Sequence, residues 1–198
     1  MKITDSQRPA ATRWKQSSCM RHAVIPPDLY GWLLDTASLT MRLQQLCPGK
    51  FSVGLLSQGR GYPRPDEARI LGMRNGERAL IRQVQLLCGG QAWIYARTVI
   101  PVTSLHGRLR RLARLGTRPL GAMLFADPAL QRGAAELARI LPGQALYFDA
   151  LQRLRLQPAE IWGRRSVFRI AKKPLLVSEI FLPGFPAGDV IRPFRKSR

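Results

Sequence analysis

The chain has 198 residues, of which 45% are hydrophobic, and this combination is typical of one globular domain with its own core. Its 32 lysines and arginines outnumber 12 aspartates and glutamates, and the resulting net charge of +20 favours anionic partners. These totals exclude a chain that is disordered throughout, and no apolar run approaches the ~20 residues of a transmembrane helix. Because the basic N-terminus has no apolar signal-peptide core, we expect a cytoplasmic protein.

The first elements along the chain are an arm and two short helices. Residues 1–22 are polar and basic, and we expect them to form a flexible arm. A helical pattern of apolar residues begins at Pro26, with Asp28 as the expected N-cap. Ser38 and Thr40 offer a second helix start, and both apolar stripes are interpreted as core packing.

The middle of the chain predicts strands. Residues 50–58 are typical of a strand, and residues 59–65 of a loop. Two β-rich runs follow at 79–88 and 91–100, and the Gly89-Gly90 pair between them is a strong signature of a two-residue hairpin.

Helices are predicted between this hairpin and the C-terminal strands. Residues 104–115 carry leucines on one face and arginines on the other, and Gly116 would end this helix. Asp127-Pro128 would begin another helix, and Pro142-Gly143 would end it. Residues 144–155 are expected to form a further helix.

The chain closes with a second pair of extended segments. Residues 162–170 and 174–182 are joined by a short lysine-rich turn. Strands near the middle and the end, with helices between them, predict a single α+β domain on an antiparallel sheet. We place this domain at 23–186 and a basic tail at 187–198.

The cysteines and histidines argue against a disulfide framework and a bound metal. Cys19, Cys47 and Cys88 are too few and too scattered for a disulfide scaffold or a zinc knuckle. With only His22 and His106 beside them, no metal-ligand cluster can be drawn. We therefore expect three reduced thiols and no metal.

The basic residues are concentrated at both ends and in the middle of the chain. No zinc finger, aromatic RNA-binding motif or glycine-rich phosphate loop accompanies them, so a solvated surface is favoured over a specific nucleic-acid site. The residues concerned are Arg8, Arg13, Lys15, Arg21, Arg108, Arg110, Arg111, Arg114, Arg118, Arg192, Arg195, Lys196 and Arg198.

The central hairpin places two arginines on an otherwise apolar face. Counting back from the glycine turn puts Arg82 opposite Arg97, on a face shared with aromatic residues. Two opposed buried arginines need an anion, either a protein carboxylate or a ligand. Two other interpretations stay open, namely that one arginine reaches water at the rim and that the register is shifted by one residue.

Glu179 stands apart from the other acids because it shares a strand face with apolar residues. Such a carboxylate is either a structural ion-pair partner of Arg82, Arg97 or Arg165, or a working acid, base or hydrogen-bond acceptor. Arginines with one acid suit a small molecule that carries a carboxylate and a hydroxyl. They suit phosphoryl transfer poorly, since nothing would hold magnesium.

Six short segments, in one order over residues 26–186, carry a family resemblance. They are Ser38-Leu39-Thr40, Leu80-Ile81-Arg82, Ala96 to Pro101, Pro119-Leu120-Gly121, Trp162 to Ser166, and Pro174 to Pro183. Each is modest alone, but the ordered set resembles the chorismate pyruvate-lyase family. The resemblance implies a six-stranded antiparallel sheet with helices packed against it, an enclosed site and no cofactor.

The resemblance also implies an activity and a set of site residues. The family converts chorismate to 4-hydroxybenzoate and pyruvate, the first step toward the ubiquinone ring. Arg82 would bind the ring carboxylate and Glu179 the 4-hydroxyl end, while the backbone N–H groups of Leu39 and Leu120 would touch the ligand. Glu179 is either a general base or an orienting group, with the substrate's own side chain then accepting the proton.

Several points go beyond the matched motifs. From strand geometry, Arg97 and Arg165 are candidates for binding the enolpyruvyl carboxylate. The added segment 144–155 leaves the covering of the site and any oligomeric contact open. The basic arms would dock the protein near an anionic membrane, where a quinone-pathway product is used next.

A non-catalytic function is the alternative. The effector-sensing domains of some bacterial repressors have a similar fold and bind small aromatic acids or other ligands without turning them over. The arm before residue 26 is too short for a helix-turn-helix domain, which counts against a repressor.

Overall fold

The computed structural model describes residues 9–188, apart from the side chains of His22 and Arg108. These residues form one antiparallel sheet with the strand order β1-β6-β7-β8-β4-β3-β2, and β5 pairs with β7 beside this path. The strands are β1 (Lys15–Gln16), β2 (Phe51–Gly61), β3 (Ala79–Cys88), β4 (Gln91–Pro101), β5 (Gln131–Arg132), β6 (Glu136–Ile140), β7 (Ile161–Ile170) and β8 (Lys173–Phe181).

The expected six strands become eight in the described part of the chain. The two additional strands, β1 and β5, have two residues each, so neither carries an alternating pattern that a sequence could reveal. The prediction of a helix from Asp127 is also wrong, because β5 and β6 occupy this stretch. In β6, Leu137, Ala138 and Ile140 are all buried, and a strand buried on both faces has no clear period of two.

Five short α-helices pack on the two faces of this sheet. They are α1 (Pro27–Leu34), α2 (Leu39–Leu46), α3 (Pro65–Ile70), α4 (Leu120–Phe125) and α5 (Ala145–Leu151). The expected helix at 104–115 is present as a 3-10 helix, Gly107–Arg114, which buries Leu109 and Leu112. The helix predicted at 144–155 is confirmed by α5, whereas α3 was not predicted. No helix within residues 9–188 is long and apolar enough to cross a membrane.

Helix starts follow the local chemistry. Ser38 caps α2 as predicted, and its Oγ accepts a hydrogen bond from Met41 N at 3.4 Å. For α1 the N-cap is Pro26 rather than Asp28, since Pro27 presets the backbone of the first helical position. Asp28 instead lies in the first turn, where a negative charge is favourable.

The central hairpin forms as predicted at its turn but shifts in register beyond it. Gly89 and Gly90 adopt φ of +56° and +84°, and Cys88 pairs with Gln91. The register then shifts by one residue, because Leu86 pairs with Ile94 while Leu87 pairs with Ala92. One extra residue in a strand moves every later side chain to the other face.

This bulge overturns the expected opposition of Arg82 and Arg97. Arg82 pairs with Thr98, and Arg97 pairs with Gln83, so the two arginines lie on opposite faces of the sheet. We call the face that carries Arg82 the cavity face. Thr98, Val177 and Ser166 continue its row across β4, β8 and β7.

The cysteine prediction is wrong. Cys47 and Cys88 form a disulfide, and among the described cysteines Cys19 alone is free and exposed. The two bonded residues are 41 positions apart, at the end of α2 and the end of β3. The two cysteines are close because α2 packs on the sheet, and their spacing in the sequence does not predict this.

The described part of the N-terminal segment lies against the domain. Lys15 and Gln16 pair with β6, and Ala10 N donates to Gly143 O at 2.9 Å. The remainder of the predicted arm, residues 1–8, and most of the predicted tail, residues 189–198, lie outside the described residues. The limits 23–186 for the domain stay a prediction.

Candidate active site

A cavity lies between the cavity face of the sheet and the first turns of α2 and α4. Its space, including the mouth, is about 500 Å³. Four residues selected from the sequence all line it, namely Leu39, Arg82, Leu120 and Glu179. The other lining residues are Ser38, Thr40, Val53, Val84, Leu86, Ala96, Thr98, Pro119, Gly121, Leu124, Phe125, Phe168 and Val177.

Arg82 is a buried cation with no acidic partner among the described residues. It is 4% exposed, and its Nη2 donates to Gly116 O at 2.8 Å and to Arg118 O at 3.1 Å. Its Nε is buried and has no hydrogen-bond acceptor. Burial lowers the pKa of Arg82 to about 10, and no carboxylate offsets this effect. The guanidinium is therefore suited to an anion brought in by a ligand.

Glu179 lines the other end of the cavity and is held by Arg164. Its Oε2 accepts a hydrogen bond from Arg164 Nε at 2.6 Å. Arg164 is 1% exposed, and its Nη1 donates to the carbonyl oxygens of Trp32 and Asp35 at 2.7 and 2.6 Å. Glu179 Oε1 has no hydrogen-bond partner in the described chain and stays available to a ligand.

The sequence analysis did not select Arg164 as a site residue, although counting along the C-terminal hairpin identifies it as the partner of Glu179. The turn at Ala171 and Lys172 makes Ile170 and Lys173 partners, and counting back from them pairs Arg164 with Glu179. Cross-strand partners share a face of the sheet. The neighbouring Arg165, which we considered instead, necessarily points to the other side.

Arg82 and Glu179 are separated by a distance that suits one small ring. They lie on the same face, with β4 between their strands, and Glu179 is two residues along β8 from Val177 in the row of Arg82. With strands ~4.8 Å apart and a rise of ~3.3 Å per residue, their Cα atoms are roughly 12 Å apart. Both side chains line the cavity, so a single small ring with a polar group at each end can lie between them.

The starts of α2 and α4 supply backbone donors at the cavity. Leu39 and Leu120 are the first residues of their helices, so their N–H groups have no acceptor within the helix. The two helices approach closely at Gly121, where a Cβ atom would lie 2.9 Å from Thr40 Oγ1 and 3.1 Å from Ser38 Oγ. Glycine at this position allows the two helix starts to meet over the cavity.

The structure does not bring Arg97 and Arg165 into the cavity. Arg97 donates to both carboxylate oxygens of Glu67, at 2.6 and 3.0 Å, on the opposite face. Burial would raise the pKa of Glu67, but the hydrogen bond and charge of Arg97 outweigh it and lower this pKa. Arg165 pairs with Glu136 and Asp66 on the same opposite face. These arginines stabilise the packing of α3 and the strand edge, and they lie outside the cavity, contrary to the expectation from strand geometry.

In the described part of the chain, no group of three or more histidine, cysteine, aspartate or glutamate side chains could hold a metal ion. The cavity itself offers one carboxylate, one guanidinium, hydroxyl groups and backbone N–H donors. Such a set is suited to hydrogen bonding and to proton transfer.

Known proteins are similar to this chain in sequence. The sequence profile of the family described as Chorismate lyase matches residues 8–187. The chain belongs to the chorismate lyase family. A protein named "Probable chorismate pyruvate-lyase" from Azoarcus sp. (strain BH72) is 46% identical over 156 residues, covering 77% of this chain and 82% of that protein. A second protein of that name, from Methylococcus capsulatus, is 42% identical over 152 residues and is covered to 93%.

Solved structures share the fold at low sequence identity. The C-terminal domain of the histidine utilization repressor from Pseudomonas syringae pv. tomato matches with a TM-score of 0.53 at 14% identity, over 74% of this chain and all of that chain. PhnF from Mycobacterium smegmatis matches with a TM-score of 0.53 at 15% identity, over 82% of this chain and 71% of that chain. At such identities the likeness concerns the fold alone.

Proposed function

We propose that this member of the chorismate lyase family converts chorismate to 4-hydroxybenzoate and pyruvate without a cofactor. The observation that carries the proposal is the buried, unpaired Nε of Arg82 in a cavity whose other end presents Glu179. A carboxylate at one end of a six-membered ring and a hydroxyl at the other match these two groups. The names of the similar proteins support the same substrate.

The bound ring lies between the two ends of the cavity. Its carboxylate accepts hydrogen bonds from Arg82, and its 4-hydroxyl donates to Glu179. The N–H groups of Leu39 and Leu120 are further donors at the helix starts. Apolar lining residues such as Val84 and Phe168 exclude water from the ring and strengthen the polar contacts.

The reaction is an elimination whose atoms balance without a co-reactant. The bond between C3 and the ether oxygen breaks, C4 loses its hydrogen as a proton, and the ring becomes aromatic. The proton ends on the methylene carbon of the released enolpyruvate, which gives pyruvate. Because aromatisation makes this favourable, the protein mainly has to bind a productive conformer and stabilise the charge that develops on the departing group.

Arg164 prepares Glu179 for this role. Two main-chain carbonyls and the carboxylate fix the guanidinium, so Glu179 keeps one orientation before the substrate arrives. Preorganised polar groups require little rearrangement during the reaction. Glu179 thereby orients the 4-hydroxyl, and its second carboxylate oxygen is the group at this end of the cavity that can accept a proton.

Paired variants test the site. Arg82→Ala and Glu179→Gln should each abolish most turnover of chorismate while the circular dichroism spectrum and melting temperature show a folded chain. Arg110→Ala, which changes an exposed arginine outside the cavity, is the matched control and should keep wild-type activity. Near-normal turnover by a folded Arg82→Ala protein would overturn the assignment of that residue.

A peripheral contact with an anionic membrane is a further part of the proposal. Arg110, Arg111, Arg114 and Arg118 are exposed along and after the 3-10 helix Gly107–Arg114, and such a cluster attracts acidic headgroups. Flotation with vesicles that contain phosphatidylglycerol should recover the protein, and purely neutral vesicles should not. Recovery unchanged by replacing all four arginines and trimming residues 1–8 and 189–198, which leaves the paired segment at Lys15 and Gln16 in place, would contradict this contact.

Two further predictions concern location and partners. We expect the protein to work in the cytoplasm, and we expect its positive charge to form no sequence-specific nucleic-acid site. Saturable binding to one nucleic-acid sequence at physiological salt would contradict the second expectation, since non-specific binding to phosphates weakens steeply as salt rises.

A further inference from the structure

Arg132 is an arginine beside the cavity that the sequence analysis did not select. It is one of the two residues of β5 and pairs with Phe168, which lines the cavity. Its guanidinium carbon lies 5.3 Å from the centre of the Phe168 ring. Its Nε donates to Ser166 Oγ at 3.2 Å, so the side chain extends along the cavity face toward Arg164 and Glu179.

The charge of Arg132 has no acidic partner among the described residues. Its Nη1 donates to the main-chain oxygens of Thr36 and Asp35, at 2.7 and 3.4 Å, and its Nη2 makes no hydrogen bond there. The carboxylate of Asp35 pairs with Arg42 instead. Burial lowers the pKa of Arg132, and the positive charge of Arg164 lowers it further, while the negative charges of Glu179 and Asp35 offset these effects only in part. An anion at this point would offset both effects.

Excess positive charge therefore lies in the cavity at Arg82 and beside its other end at Arg132. Arg82 supplies the charge at the first end, and Arg132 with Arg164 outnumber Glu179 at the second end. A ligand with two carboxylates matches this distribution, whereas a ligand with one carboxylate leaves the second end uncompensated.

We propose that Arg132 binds the carboxylate of the enolpyruvyl side chain, an inference that rests on the proposed function. With the ring carboxylate at Arg82 and the 4-hydroxyl at Glu179, the ether oxygen on the adjacent ring carbon also lies at the Glu179 end. The inference places the side-chain carboxylate beside Nη2 of Arg132, whose side chain packs along Phe168 and Ser166. Negative charge that develops on the departing enolpyruvate is stabilised by the same guanidinium.

The proposed role of Arg132 applies to the substrate and not to the product. Chorismate carries the enolpyruvyl carboxylate and 4-hydroxybenzoate does not, so Arg132 contributes to binding and turnover of the first and not to binding of the second. A purely structural role, in which Arg132 only holds the segment at residues 35–36, would affect both ligands, because this segment leads into the start of α2 at the cavity.

The experiment compares Arg132→Gln, Arg132→Lys and the control Arg42→Gln with the wild-type chain. Arg42 contacts the same segment through Asp35 but lies outside the proposed machinery. For each protein we would measure kcat and KM for chorismate, the Kd of 4-hydroxybenzoate by calorimetry, and the melting temperature. Wild-type turnover tests the proposed function, and the variants test the inference separately.

For Arg132→Gln we expect kcat/KM for chorismate to fall by about 100-fold, as for the loss of one group that stabilises developing charge. The Kd of 4-hydroxybenzoate should stay within about threefold of the wild-type value, and Arg132→Lys should recover part of the activity. An Arg132→Gln protein with wild-type kcat/KM would overturn the inference. So would losses of product affinity and melting temperature in parallel with kcat/KM, since these indicate a structural role.

Discussion

Arg82 and Glu179 lie on one face of the sheet, on strands separated by β4, at the two ends of a single cavity. The first is a buried cation without a protein anion, and the second is a carboxylate fixed by a buried arginine. In the proposed function, an aromatic acid with a para hydroxyl group would join the two ends. One β-sheet face would then bind the substrate and hold it for elimination.

The ion pair between Arg164 and Glu179 should matter for both stability and catalysis. Arg164→Gln leaves Glu179 without its partner and removes the donor to two main-chain carbonyls. We expect the free energy of unfolding in urea to fall by about 3 kcal/mol, as for a broken buried pair, and kcat to fall with it.

Arg139→Gln is the matched control for Arg164→Gln. The Arg139 side chain is 54% exposed and its partner Glu160 is half-buried at 32%, so loss of this pair should cost less than about 1 kcal/mol. Equal losses for the two variants would show that the pair at the cavity has no special role.

Ligand binding should depend on pH through Arg82. Its pKa of about 10 in the free protein lies below the ordinary value of an arginine, and a bound carboxylate favours the charged form and raises this pKa. Affinity is therefore constant below the free pKa and falls as pH rises through it, by at most about tenfold per pH unit.

Benzoate is the suitable probe, since it has no second ionisable group. Calorimetry between pH 7 and 11, with folding checked by circular dichroism, should show constant affinity up to about pH 9 and a decline above about pH 10. A decline that begins near neutral pH, or none up to pH 11, would show that another group governs binding.

Gly121 should be sensitive to any added side chain. In Gly121→Ala the new Cβ would lie 2.9 Å from Thr40 Oγ1, which forces α2 and α4 apart over the cavity. We expect a loss of stability of about 1–2 kcal/mol and a fall in kcat/KM for chorismate of roughly tenfold.

Gly59→Ala is the control for Gly121→Ala, because nothing lies within 4 Å of its added Cβ. Combining Thr40→Ala with Gly121→Ala removes one of the two clashing hydroxyls and should restore part of the activity. A double-mutant cycle measures this coupling. If the two substitutions do not couple, the close approach of the two helices is not the cause of the lost activity in Gly121→Ala.

The disulfide predicts a thiol count. The chain has three cysteines, and with Cys47 bonded to Cys88 a denatured, unreduced sample should show one reactive thiol, that of Cys19. Reduction should raise the count to three. It should also lower stability by roughly 4 kcal/mol in the chain-entropy treatment of a loop of this length. Three thiols before reduction would contradict the pairing, which is itself uncommon in a reducing cytoplasm.

Sequence reasoning was most successful where structure is local. The glycine turn, the lysine-rich turn, the Ser38 cap and the two hairpins were all predicted, because each depends on neighbouring residues. The predicted pairing of Arg82 with Arg97 was wrong, because the position of a single bulged residue cannot be found from the alternation of side chains alone. Strand β6 was mistaken for a helix, because burial on both faces removes its alternation.

The candidate site was predicted mainly through the family resemblance. Arg82, Glu179, Leu39 and Leu120 came from matched segments, and the cavity brings all four together. Arg164 was within reach of strand counting, while Arg132 was not, because it lies on a two-residue strand whose pairing depends on the whole sheet. The disulfide likewise depends on tertiary packing.

Incubation of the purified protein with chorismate in metal-free buffer, followed by chromatography for both products, measures the proposed lyase activity itself. We expect 4-hydroxybenzoate and pyruvate in equimolar amounts, formed at a rate proportional to protein concentration. Tight binding of 4-hydroxybenzoate without any turnover would contradict the proposed activity and would indicate a sensor that has the fold of an enzyme.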